Sequence, residues 1–159
     1  MTNIDKSPKI SDAKKTQYKG EAHFLRGLYY FNLVRLFGDV PWIDKQQTAS
    51  DDLQVSRTSK DIVYQHIIDD FSDAASMLPA VYENTTDIGR ATKGAAFGLL
   101  AKVYLTLKRY NETLVAIDSV MNLGVYSLNR KYEWNFSDLR ENGPESLFEV
   151  QYEKDVTAY

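Results

Sequence analysis

The longest apolar stretch runs from Phe24 to Phe37, and within it only Arg26, Asn32 and Arg35 are strongly polar. Apolar residues fall on nearly every side of a helix drawn through it. A helix at a protein surface shows one apolar stripe, so this one is expected to be central and covered on several sides. Its stripes are Tyr18, Ala22, Leu25, Tyr29 and Leu36, and then Phe24, Leu28 and Phe31. Lys19, His23 and Arg26 mark the wetter face. The helix is predicted from Ser11 or Asp12 to Phe37, stopping at Gly38 before an extended Asp39-Val40-Pro41-Trp42 exit. At about 14 residues the apolar part is too short and too charged to span a bilayer, which takes roughly 20.

The remaining pattern predicts three more helices. Ser59 is placed to cap one whose Val63, Ile67, Phe71, Ala74 and Leu78 share a face, with Asp61 in its first turn and Pro79 after its end. Thr92 caps the next, over 93–108, with Ala96, Leu99, Leu100, Val103 and Leu107 at helical spacing. Its Gly94, Ala95, Ala96, Gly98 and Ala101 are small enough for close approach by a neighbour. Two glycines in one helix cost about 1 kcal/mol each against alanine, which points to a packing need. Asn111 is expected to cap a fourth helix with Leu114, Ile117, Val120 and Met121 inward, ended by Gly124. Long polar connections cover 43–58 and 80–90. Tyr132, Trp134 and Phe136 sit in a loop without helical period. Residues 147–152 alternate, with Phe148, Val150 and Tyr152 opposite Glu149 and Gln151, the pattern of a half-buried strand. The expectation is an all-α fold with one minor strand: residues 1–9 disordered, 10–159 one helical domain.

Composition narrows the function. A chain of 159 residues is large enough for one core. The net charge of −3 gives no basis for nucleic-acid binding, which calls for a clustered basic surface. Cysteine is absent, excluding disulfides and thiolate metal sites. The opening Met1-Thr2-Asn3-Ile4-Asp5-Lys6 is polar and has no signal-peptide pattern. Eleven tyrosines raise the aromatic content, most of them on helix faces as core or rim.

Phe97, Leu100, Ala101, Tyr104, Tyr110 and Ile117 resemble the packing positions of a tetratricopeptide helix pair, with Thr113 where that motif has alanine. A longer ordered set resembles the SusD/RagB family. It comprises Phe24-Leu25-Arg26 with Tyr29 to Arg35, Phe37-Gly38-Asp39-Val40-Pro41, and Ile67-Ile68-Asp69-Asp70 with Ala74-Ala75 and Leu78-Pro79. It continues with Gly89-Arg90-Ala91-Thr92-Lys93-Gly94-Ala95-Ala96, Leu100 to Leu105, Gly124-Val125-Tyr126, and Glu145 with Phe148 to Tyr152. The resemblance covers about 20–152 and implies tetratricopeptide-like helical hairpins with elaborated loops. It implies a non-catalytic, surface-facing lipoprotein of the outer membrane that captures oligosaccharide or polysaccharide for a SusC-type TonB-dependent transporter. Family members are several times longer and begin with a lipoprotein signal and a lipidated Cys that this chain lacks. The chain therefore matches the middle portion of such a protein, and its membrane attachment would rest on a lipid anchor not contained in it. An intracellular tetratricopeptide-like scaffold binding a peptide or protein is the alternative.

A sugar site without catalysis needs aromatic faces against C–H surfaces and polar groups at their edges. The loop candidates are Trp134, with Asn135 beside it, then Tyr132, Phe136, Trp42 and Tyr82. Trp42, directly after Pro41, also fits a cap on the core helix. Gly89 to Gly94 has some letters of a phosphate loop, but Lys93 precedes the last glycine, so a helix start capped by Thr92 fits better, with Arg90 a structural donor. His23 and His66 lack metal-ligand spacing. Asp51-Asp52 and Asp69-Asp70-Asp73 lack a calcium-loop pattern and fit solvated faces. Glu145 and Glu149 are the nearest approach to a glycosidase pair, but nothing in the sequence tunes one of them as an acid. No metal or other cofactor is expected.

Overall fold

The computed structural model describes residues 3–48, 50 and 53–151. Among these the architecture is helical: α1 Asp12–Phe37, α2 Lys60–Met77, α3 Lys93–Thr106 and α4 Tyr110–Met121, with 3-10 turns at Ile4–Lys6, Thr85–Asp87, Tyr132–Phe136 and Asp138–Arg140. The helices pack in succession, α1 on α2, α2 on α3 and α3 on α4. No helix among the described residues is long and apolar enough to cross a membrane.

The helix starts follow capping chemistry. The Ser11 side chain accepts from Lys14 N, and Thr92 from Ala95 N, so each satisfies a first-turn donor. The α2 start uses a different device. Ser59 makes no side-chain cap, and the Asp39 carboxylate accepts from Lys60 N at 2.8 Å. Gly38 makes this possible: its φ of 67° turns the chain at the end of α1, where an L-residue would be strained. Val40 and Thr58 then exchange both backbone hydrogen bonds and close the α1–α2 connection. The α4 start also departs from expectation. Arg109 precedes the helix and Asn111 lies inside it, exposed.

The core is the seam between α1, α2 and α3. Phe24, Phe31, Val63, Ile67, Phe71 and Val103 are fully buried. Phe24 meets Phe71 edge-on at 5.9 Å and Phe148 at 4.9 Å. Burying one such ring is worth roughly 1.5–3 kcal/mol. Close approach depends on small residues. A Cβ at Gly27 would stand 3.1 Å from the Phe71 ring, and one at Gly94 would overlap the ring of Tyr126.

Several sequence expectations need correction. The stripe Tyr18, Leu25, Tyr29 and Leu36 is exposed, so α1 is covered on the Phe24–Phe31 side rather than all round. On α4 the buried residues are Thr113 and Ala116, while Leu114, Ile117 and Met121 are exposed. Of the tetratricopeptide packing positions on this helix, Thr113 is buried but Tyr110 and Ile117 are exposed: the helix is apolar on both faces, and its small residues are the ones that pack inward. Thr113 is accommodated because its hydroxyl donates to Arg109 O. No strand forms over 147–151: the segment is irregular, because no described neighbour offers it a ladder, and Tyr152 lies outside the described residues. Tyr132, Trp134 and Phe136 lie in a short 3-10 helix, too brief for a period to show in sequence. The terminal stretch carries, among its described residues, the Ile4–Lys6 turn, held by an Asp5–Lys19 ion pair and an Asn3–Gln46 hydrogen bond.

Candidate functional site

Two polar networks fasten the helices, and both use residues that sequence alone assigns elsewhere. The first centres on Asp70, only 2% exposed in the middle of α2. Arg26 of α1 donates to it through a two-point fork, Nε to Oδ2 at 2.8 Å and NH2 to Oδ1 at 2.7 Å. His23 Nδ1 lies 2.7 Å from Oδ1. Burial opposes ionisation of Asp70, but the hydrogen bonds from Arg26 and His23 outweigh it and hold the carboxyl below its ordinary value. His23 and Arg26 are therefore the clamp between α1 and α2, not a wet face. Asp69 and Asp73 are exposed, as a solvated run requires, and Asp70 is the exception; Asp51 and Asp52 lie outside the described residues.

The second network ties the α2–α3 connection to α1. Arg90 donates to both oxygens of Glu21 at 2.9 and 2.8 Å and pairs with Asp87 at 2.8 Å. Arg90 is the structural donor expected of it. Tyr82 joins in: its hydroxyl lies 2.9 Å from Ala91 O and 3.2 Å from Glu21. Burial and the Glu21 charge push its phenol well above the usual tyrosine range. Trp42 is equally committed. It stacks on His66 at 4.6 Å, leans on Tyr30 at 4.2 Å and carries the Arg26 guanidinium 4.9 Å from its ring. The Tyr30 hydroxyl donates to Pro41 O and accepts from Ile43 N, pinning the loop around it. Of the expected sugar contacts, Trp42 and Tyr82 thus lie within scaffold networks.

Tyr132, Trp134 and Asn135 share one turn. Tyr132 and Phe136 are 79% and 73% exposed and meet edge-on at 5.2 Å. Trp134 is half-buried, with the Arg140 guanidinium 3.8 Å over its ring. Asn135 Oδ1 accepts a hydrogen bond from Asn129 Nδ2. Both asparagines line a cleft of about 510 Å³ between α3 and the segment that follows α4. Leu28, Gly98 and Leu99 form its apolar floor, and Lys102, Arg140 and Glu145 are among its polar groups. A cleft of this size and mixed lining suits a small ligand with several hydroxyls. Gly98 helps to shape it, since a Cβ there would crowd Leu147.

The cleft carboxylates are held by backbone donors. Glu145 accepts from Asn129 N at 2.9 Å and Glu149 from Asn142 N at 3.0 Å. The Asn129 N–H and the Asn135 side chain lower the pKa of Glu145. A glycosidase acid needs the opposite shift. Lys102, Asn129 and Arg140 escaped sequence reasoning, because isolated polar residues carry no periodicity that marks a cleft.

Residues 2–105 match the SusD-like family model described as starch-binding and associating with outer membrane. A SusD-like protein of Bacteroides ovatus is 32% identical over 155 residues, which takes in 90% of this chain and 28% of that protein. The crystal structure of a SusD-like protein from Bacteroides fragilis superposes with a TM-score of 0.84 at 36% identity, over 92% of this chain and 29% of that one. A laminarin-binding SusD-like protein gives 0.82 at 28% identity, over 92% and 33% of the two chains. The chain spans between 28% and 33% of the length of these relatives.

Proposed function

As the chain belongs to the SusD-like family, we propose that it is the helical part of a non-catalytic glycan-binding protein serving nutrient uptake at the outer membrane. In this reading it captures oligosaccharide at the cell surface and passes it to a SusC-type TonB-dependent transporter. The observation that carries the reading is the match of residues 2–105 to a family described as starch-binding. The laminarin-binding structure, similar over 92% of this chain, supports the same ligand class.

The cleft above α3 and the adjoining Tyr132–Phe136 turn are the contact region this chain offers. The exposed rings of Tyr132 and Phe136 supply apolar faces, and Asn129 and Asn135 supply hydroxyl-bonding edges. Binding without turnover fits the direction of the Glu145 shift, downward through the Asn129 N–H and the Asn135 side chain, where a leaving-group acid is tuned upward. Titration with starch and laminarin oligosaccharides, followed by tryptophan fluorescence and calorimetry, tests the proposal. Saturable binding with no hydrolysis products is the expected result. Failure to bind any oligosaccharide, or their cleavage, would overturn it.

A further inference from the structure

We propose that the cleft selects oligosaccharides bearing an anionic group, a uronate carboxylate or a sulfate ester, through Arg140 and Lys102. This deepens the glycan-binding reading and rests on it. Both cations line the cleft, and neither has an anionic or hydrogen-bonding partner among the described side chains. Arg26 and Arg90 on the scaffold, by contrast, each have a carboxylate partner.

Arg140 is held in a productive pose without one. Its guanidinium sits over Trp134, 3.8 Å from the ring centroid. A guanidinium supported on an aromatic face keeps N–H groups available to fork onto a carboxylate or sulfate. Trp134 is therefore the support of the anion-binding group, and the sugar faces fall to Tyr132 and Phe136. Glu145 and Glu149 also line the cleft, so its formal charge is balanced. Each of these carboxylates is held by a backbone N–H, while the two cations have no carboxylate partner among the described side chains. An anion arriving in the cleft meets two cations that no carboxylate of the described residues neutralises.

The test is a calorimetric titration of the full chain with three probes of equal length: an oligogalacturonate, a sulfated oligosaccharide and an uncharged glucan. At low salt, one or both anionic probes are expected to bind at least roughly tenfold more tightly than the glucan, with the advantage shrinking as salt screens it. Whichever anionic probe binds identifies the group. Lys102→Gln, on an exposed helix position, and Arg140→Gln should each erase most of the advantage of the anionic probes over the glucan. Lys60→Gln, outside the cleft, should leave it intact. Arg140→Lys should fail to restore it, because the stacked fork is lost. Equal affinity for all probes, or an advantage untouched by both cleft variants, would overturn the inference and leave glycan binding standing. Absence of binding to every probe would overturn both.

Discussion

The α1–α2 seam and the segment from Tyr126 to Gln151 are built on opposite principles. The seam is dry and redundant: Phe24, Phe31, Ile67 and Phe71 interlock, and one buried carboxylate, Asp70, is satisfied by two α1 side chains. The later segment has no α-helix. It is held by point contacts: Tyr126 to Thr92, Ser127 N to Pro144 O, Glu145 to Asn129 N and Phe148 against Phe24. Polar groups on the seam are spent on one another. In the cleft beside the later segment, Lys102 and Arg140 keep donors free. The contrast separates a scaffold, whose buried polar side chains among the described residues all have partners, from a surface that can still make bonds.

Mutation should expose this difference in stability and in binding separately. The largest effect is expected at Asp70→Ala, which strips Arg26 and His23 of their partner. Breaking a buried pair costs about 3–5 kcal/mol, and partial exposure of Arg26 puts this one at the lower end. Urea denaturation measures it, and a change under 1 kcal/mol would show the clamp to be ornamental. Leu100→Ala should cost about 2–5 kcal/mol by the same measurement, since the side chain is buried in α3. Gly94→Ala should cost about 1–3 kcal/mol through overpacking against Tyr126. Tyr132→Ala and Phe136→Ala should each change stability by less than about 0.5 kcal/mol. Each should instead weaken glycan binding, read by calorimetry.

The seam also has a pH signature. The Asp70 carboxyl is held below its unfolded value of about 3.9. Its contribution is therefore complete above that value and is lost as pH falls through the lower, folded one. Denaturation midpoints measured from pH 5 to pH 2 should fall for the native chain. They should fall less steeply for Asp70→Asn.

How far each region could be read in advance follows from the same contrast. The buried faces of α1, α2 and α3 repeat at helical spacing, so Phe24, Phe31, Ile67, Phe71 and Leu100 were visible as core. The Gly38-Asp39-Val40 and Arg90 to Gly94 motifs were visible as signals, but their work was not. Asp39 caps a helix 21 residues away, Arg90 reaches back 69 residues to Glu21, and Gly94 makes room for Tyr126. Long-range pairing has no local pattern. For the same reason Asp70 looked like one of several solvated acids. The cleft was only half legible. Asn135 was picked out as a neighbour of the loop aromatics Tyr132 and Trp134 in the turn beside the cleft, whereas the arginine over Trp134 and the lysine on α3 depend on how the loop folds back.

The central claim is that ligand contacts lie on the cleft and its adjoining turn while α1 and α2 serve as scaffold. Backbone amide chemical shifts of the isotope-labelled chain, recorded during oligosaccharide titration, test this most directly. Perturbations are expected to cluster at Ala95–Lys102 and at 129–149, with Arg26, His66 and Asp70 unmoved. A cluster on α1 and α2, around Trp42 and His66, would contradict the account.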